Sequence, residues 1–151
     1  MVWKPHVTVA AIIERDQHFL VVEEHTDHGH AFNQPAGHLE AGESLLDAVK
    51  REVREETARD FEPEALVAVQ LWRKSEQHPQ FLRFCFTGSV SGQHMDRQLD
   101  SDIIATHWLT RNQLAANPDT LRSPLVLLSI DAYLAGQRHP LSLLQTFLDL
   151  A

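Results

Sequence analysis

Residues 44–57 read as a helix whose core-facing side carries charge. Ser44 is a good N-cap, Asp47 three positions later completes a Ser-x-x-acid capping pattern, and an apolar periodic run follows at once. Gly42 supplies the turn that leads in. At about 100° per residue, Leu45, Leu46, Val49 and Val53 fall in one arc, while Asp47, Lys50, Arg51 and Arg54 fall on the far side. A helix with one apolar stripe must lay that stripe against another layer. On the same wheel Glu56 lands inside the apolar arc, between Leu45 and Val49, with Glu52 at its border and Glu55 next to Glu52. Charge on a packed face is costly unless it is paired or bound to metal. Carboxylate oxygens suit hard divalent cations, and Mg²⁺ in particular is held by a few carboxylates together with water and substrate phosphates. A plainer reading pairs the three acids with Lys50, Arg51 and Arg54. The helix by itself leaves both readings open.

The wider spacing weighs toward the metal. Gly37, five residues, Glu43, seven residues and then Arg51-Glu52-Val53-Arg54-Glu55-Glu56 resembles the Nudix hydrolase signature, with matches at Gly37, Glu43, Arg51, Glu52, Val53, Glu55 and Glu56. It departs at the end: Ala58 and Arg59 stand where the family usually has Gly and an aliphatic residue, so an altered helix exit is expected. The resemblance implies an α/β (α+β) fold, an α/β/α sandwich with a mixed β-sheet. It also implies Mg²⁺ (or Mn²⁺) as cofactor, Glu52, Glu55 and Glu56 as catalytic and metal-binding carboxylates, and Gly37 as a further metal ligand through its carbonyl. Glu43 and Arg51 would pair to brace the loop against the helix, a role that suits the planar donor fork of arginine.

Segments outside the signature, among them Lys4–Ala10, Phe19–Glu24, Asn33–Ala41, Phe81–Phe84, Asp100–Ile103 and Leu121–Val126, look like a phosphatase branch of that family. This implies release of terminal phosphate from nucleoside tri- and diphosphates and from hydroxymethylpyrimidine or thiamin pyrophosphate. The alternatives are a Nudix pyrophosphatase cleaving ADP-ribose or dinucleotides, and a non-catalytic nucleotide-sensing module. The intact carboxylates argue against the sensor.

The rest of the chain supplies layers for the helix. Val7–Ile13 is a β-branched run that ends at the polar turn Glu14–Gln17, and Phe19–Val22 should return as its hairpin partner. Glu23–His30 reads as a polar loop whose His25, His28 and His30 are solvent-exposed or at the substrate edge. Pro35 ends or edges the strand before Gly37. Glu64–Trp72, Phe81–Val90 and Ile103–Leu109 are further strands. Thr110 and Gln113 form a capping box opening a short helix that Pro118 ends, and Ser123-Pro124 opens another that runs to Gly136. The core stripe of that helix is read as Leu125, Leu128, Ala132 and Ala135, and Leu141–Leu150 as a final short helix.

Other candidate residues are weaker. Arg83 interrupts an apolar strand and either meets a substrate phosphate or snorkels at an edge; Arg122 is a second phosphate candidate. Phe32 and Trp72 are candidates for stacking on a heteroaromatic ring. Asp100 and Asp102 precede a strand as further ligand or base, or as solvated turn residues.

With 151 residues and no repeat or linker, one domain over residues 1–151 is expected. A formal charge of −8 argues against a nucleic-acid polymer or an anionic membrane as partner, whereas a cation in an acidic site still recruits a small phosphoanhydride. The single Cys85 lies in an apolar run and forms no internal disulfide, which fits a reducing cytoplasm. No stretch approaches the roughly 18 apolar residues of a membrane span. A monomer is expected.

Overall fold

The run Val7–Ile13 is buried on both faces: Val9, Ala11 and Ile13 point to one side, Ala10 and Ile12 to the other, and all are at most 1% exposed. Burial on both sides requires a layer on each face. In the computed structural model, which describes residues 1–94 and 96–150, those layers are helices.

The strands are β1 His6–Ile12, β2 Glu14–Arg15, β3 His18–Thr26, β4 Gly29–Asn33 and β5 Ala36–His38, followed after a helix by β6 Arg59–Trp72, β7 Phe81–Gln93 and β8 Ile103–Thr110. The helices are α1 Leu45–Thr57, α2 Arg111–Ala115 and α3 Leu125–Leu134. β1 pairs antiparallel with β5 and parallel with β7, and β7 pairs antiparallel with β6, giving a mixed sheet in the order β5-β1-β7-β6. A second sheet has β3 between β4 and β8, with the short β2 also on β3.

On one face of β1, Val9, Ala11 and Ile13 join Ala48, Val49 and Val53 of α1 with Phe61, Leu66 and Phe86. On the other, Ala10, Ile12 and Cys85 join Leu114 of α2 and Ile130 of α3. The expected helix–sheet–helix sandwich is present. Cys85 is buried and free, and among the described residues no helix is long and apolar enough to cross a membrane.

The local readings of α1 and α2 hold. Ser44 Oγ accepts the Asp47 N–H at 3.0 Å, and the Thr110/Gln113 capping box is closed in both directions. Gly136, at φ +85°, closes α3: its N–H reaches the Tyr133 carbonyl at 3.0 Å and the Gln137 N–H reaches Ala132 at 3.1 Å, the paired bonds of a Schellman motif.

Several expectations are corrected. Val7–Ile13 does not form a broad hairpin with Phe19–Val22, because β1 has both edges taken by β5 and β7; the return pairing is the two-residue β2 ladder, after which the chain is in the other sheet. Glu23–His30 is not a loop: β3 runs to Thr26 and β4 starts at Gly29, with His25 directly opposite His30. Polar residues are no obstacle to a strand with one face toward water. The stripe of α3 is Leu125, Val126, Ser129 and Ile130, while Leu128 is 56% exposed. Leu141–Leu150 contains only a 3₁₀ turn at Leu141–Leu143; Leu141 and Leu144 pack partly against the core while Leu143, Phe147 and Leu150 are exposed, and so short an apolar face leaves a helix marginal in water.

The exit of α1 also differs from expectation. Ala58 closes the helix at φ +58°, ψ +27°, the left-handed conformation usual for glycine, and its N–H bonds the Arg54 carbonyl. Alanine carries the strain of that turn, at about 1 kcal/mol, with no change in the type of turn.

Candidate active site

The phase of α1 places its acids as the helical wheel requires. Val49 and Val53 are fully buried, and Glu52 and Glu56 sit on the same side at 8% and 6% exposure. Glu56 Oε1 accepts the Ala36 N–H at 2.8 Å, which ties the helix to β5. Glu52 lies against the next residue of that strand. A Cβ added to Gly37 would collide with the Glu52 carboxyl group, so any side chain there must push that carboxylate out of its place. The fixed glycine of the motif is therefore a matter of close approach and not of an unusual φ.

Arg51 organises the rim. Its Nε donates to Glu43 Oε2 at 3.0 Å and its Nη2 to Glu43 Oε1 at 2.7 Å, a two-pronged contact that braces the loop against the helix. Nη2 also donates to the His38 carbonyl at 2.9 Å, and Nη1 reaches Glu52 at 2.8 Å and Glu55 at 3.2 Å. The hydrogen bonds to Glu43 hold the guanidinium firmly charged, and they hold the Glu43 carboxyl below its usual range.

The other two basic residues do not reach the acids. Lys50 turns to Glu62, 3.9 Å away, and Arg54 to Asp60 at 3.2 Å. The plain pairing of three acids with three bases is therefore not what the chain builds. Glu55 is half-buried, and Asp100 comes to it from the segment before β8, whose amide donates to the Glu55 carbonyl at 3.0 Å. One ligand atom each from Glu52, Glu55 and Asp100 lie within 4.8 Å of one another.

Glu24 on β3 adds a further carboxylate near Glu56. Arg122 Nε stands 3.3 Å from its Oε1, but that buried oxygen accepts no hydrogen bond from the described residues. Burial, with like charge from Glu55 and Asp100, pushes Glu52 up to about 7 against the pull of Arg51. Burial, with Glu52, Glu24 and Asp100 nearby, pushes Glu56 up to about 9. Burial and the charge of Asp102 also raise Glu24. Acids held this far above their ordinary range, beside a buried oxygen that Arg122 approaches without a hydrogen bond, fit a hard divalent cation.

The remaining candidates divide. Arg122 is brought to Glu24, its own N–H bonding the Phe32 carbonyl at 2.8 Å. Asp102 lies close enough to Glu24 to act on it, and its backbone carbonyl accepts the His25 N–H at 2.8 Å. Arg83 is not at the carboxylates and does not snorkel. It is 5% exposed on the face opposite α1, donating to Ser129 Oγ and Gln34 Oε1, each at 2.8 Å. Trp72 stacks on Phe81 at 6.1 Å, and Phe32 meets His107 edge to face at 5.6 Å. His30 and His107 flank Glu23 at 3.0 Å each, on the strand face opposite Glu24.

Sequence reasoning missed Glu24. The available signal was the pair Glu23-Glu24 at the end of an apolar strand, since alternation sends one of two consecutive residues to each face.

A sequence model of the NUDIX domain matches residues 4–127. Phosphatase NudJ of Escherichia coli (strain K12) is 40% identical over 145 residues, covering 96% of this chain and 94% of that one. A solved NUDIX hydrolase from Nitrosomonas europaea is 43% identical, with a TM-score of 0.92 over 95% of this chain and 98% of its own. A UDP-X diphosphatase at 22% identity has a TM-score of 0.73 over 93% of this chain and 68% of its own, a likeness of fold alone.

Proposed function

The chain belongs to the NUDIX family and is a hydrolase of phosphoric anhydrides, and from that premise we propose a divalent-cation-dependent phosphatase. It removes the terminal phosphate from nucleoside tri- and diphosphates and from hydroxymethylpyrimidine or thiamin pyrophosphate, with Mg²⁺ as its cation and Mn²⁺ as a substitute. The observation that carries this reading is the surplus of carboxylate in one place: Glu52, Glu55 and Asp100 converge while Arg51 is already shared with Glu43. The near full-length likeness to a phosphatase favours terminal cleavage over cleavage between two organic phosphates.

Glu52, Glu55 and Asp100 would hold the cation, with Glu56, Glu24 and the Gly37 carbonyl as the further donors at hand. When bound, the cation neutralises charge on the phosphoryl oxygens and acidifies a water. The residues do the rest. A water oxygen attacks the terminal phosphorus, the bridging P–O bond breaks, the shortened organic phosphate departs with the bridging oxygen, and the phosphoryl group is released as orthophosphate. The two duties compete for one carboxylate: where Glu52, at the border between core and solvent, gives up its place on the cation, it accepts the proton of the attacking water. Arg51 fixes the direction of Glu52 and Glu55, and Glu56 pins β5 so that Gly37 stays packed on Glu52. Arg122 would meet a substrate phosphate on leaving Glu24, a role that its guanidinium, 57% exposed, supports. The buried free thiol of Cys85 supports a cytoplasmic setting.

The test is a product assay over nucleotides, thiamin pyrophosphate and ADP-ribose with Mg²⁺ or Mn²⁺. Orthophosphate from the first two groups is expected. Two organic phosphates and no orthophosphate from ADP-ribose would identify a pyrophosphatase, and nucleotide binding with no turnover a sensor.

A further inference from the structure

A second concavity lies where the chain passes from β1 into the other sheet, and it shares no residue with the carboxylate site. Its volume is about 390 Å³, and its walls include Glu14 and Arg15, Glu64 on β6, Trp108 on β8, and Tyr133 and Arg138 at the end of α3. That volume is in the range of small-molecule sites.

Two of its walls are arginines stacked on aromatic rings. The Arg15 guanidinium carbon is 4.6 Å from the Trp108 ring centroid, and that of Arg138 is 4.0 Å from Tyr133. Arg59, just beyond the wall, lies 5.6 Å from the same Trp108 ring. A guanidinium lying on a ring keeps its N–H edge free in its own plane, and that edge matches phosphate oxygens.

The wall carries two arginines and two glutamates, and among the described residues no ion pair joins them. Arg51, Arg54, Arg111 and Arg122 have carboxylate partners; among the described residues Arg15, Arg59 and Arg138 have none, as is also true of Arg73, Arg83 and Arg97, but only the first three gather in one place. Arg138 Nη1 donates to the carbonyls of Tyr133 and Gln137, at 3.0 and 2.9 Å. Arg59 Nε is buried with no acceptor. Of the two acids on the wall, Glu14 accepts the Tyr133 hydroxyl at 2.6 Å, and Glu64 is exposed and pairs with no arginine. The chain has 21 acidic residues against 13 basic ones, so three guanidiniums left without an acid around one cavity are not short of possible partners. Burial and the like charge of Arg15 also work against the Arg59 charge, a repulsion that a bound anion would remove.

We propose that this cavity is a second, non-catalytic binding site for a small phosphate-bearing anion, held by the in-plane N–H edges of Arg15 and Arg138 against the Trp108 and Tyr133 rings.

The experiment follows the Trp108 indole N–H by two-dimensional NMR, assigned through Trp108→Phe, in the metal-free full chain with EDTA. Inorganic phosphate is titrated at constant ionic strength. A saturable shift of Trp108 with Trp3 and Trp72 unmoved is expected. Arg15→Gln and Arg138→Gln, both at exposed positions, should each weaken binding by about tenfold or more. Glu52→Gln should leave it unchanged. Absence of a saturable shift into the millimolar range overturns the proposal, as does binding unaffected by both arginine variants, or binding that Glu52→Gln abolishes.

Discussion

Replacing Glu56 by Gln separates what the carboxylate does for chemistry from what it costs the fold. Glu56 titrates near 4.5 in an unfolded chain and is pushed up to about 9 by burial in the metal-free protein. Below about pH 4.5 it is neutral in both states and pH has no hold on stability through it. Between those values the unfolded state is ionised and the folded state still binds the proton, so stability falls as pH rises, by about 1.4 kcal/mol per unit. At about pH 7.5 the accumulated cost is about 4 kcal/mol. The glutamine amide keeps an oxygen for the Ala36 N–H and carries no such cost. With partial relaxation of the site, metal-free Glu56→Gln should gain about 2–4 kcal/mol over wild type at neutral pH. For a chain of this size that is a rise in Tm of roughly 5–15 °C. The gain should shrink to nothing toward pH 4.5, and added Mg²⁺ should raise the wild type more than the variant. Thermal unfolding followed by circular dichroism from about pH 4.5 to 8.5, with EDTA or Mg²⁺, reads all of this, and orthophosphate release reads activity, which should be lost. A variant that melts with the wild type at every pH, or whose gain persists undiminished at low pH, would refute the burial argument. A folded variant with near-normal phosphate release would sink the catalytic assignment.

Three other substitutions test the frame around the acids. Gly37→Ala drives a methyl into the Glu52 carboxyl, so orthophosphate release should fall by about a hundredfold or more while circular dichroism still reports a folded protein. Ala58→Gly relieves the left-handed turn and should stabilise by about 1 kcal/mol in denaturant melts, with activity unchanged. Asp100→Asn removes an exposed acid that no arginine needs; the concentration of Mg²⁺ required for half-maximal rate should rise by about tenfold or more, and Tm in EDTA should stay within a degree or so.

How much of this was readable in advance depends on how far apart the partners are in sequence. Ser44, Val49, Val53, Glu52 and Glu56 lie within one helix, where caps and a 3.6-residue period act on neighbours, and each sits where the period puts it. Glu24 joins Glu56 only through the register of β3 against β4 and β8, including a shift between Glu23 and Glu24, and no local pattern encodes that register. Asp100 and Asp102 look alike as letters; what distinguishes them is the single amide of Asp100 bonded to Glu55. Arg83 misleads because a lone arginine in an apolar strand suggests an edge or a ligand, whereas neutral oxygens of Gln34 and Ser129 satisfy it inside the core. The stripe of α3 slips for a related reason: the helix is apolar on nearly every side, so its sequence hardly marks a preferred face.

The segment between β7 and β8 hangs from the last turn of α1 by two backbone bonds, Asp100 N–H to Glu55 and His94 N–H to Ala58. Those carbonyls belong to a helix end, where no intrahelical donor remains. Lifting the segment to release Asp100 therefore unties the end of α1 as well, and the two events share one free energy of opening. Deuterium uptake should record this: the Asp100 amide, on an exposed residue, should exchange at the rate of its anchor and not of its surroundings. A bound cation gripping Asp100 should slow that one proton along with His94, two amides that never touch the ligand through their own nitrogens.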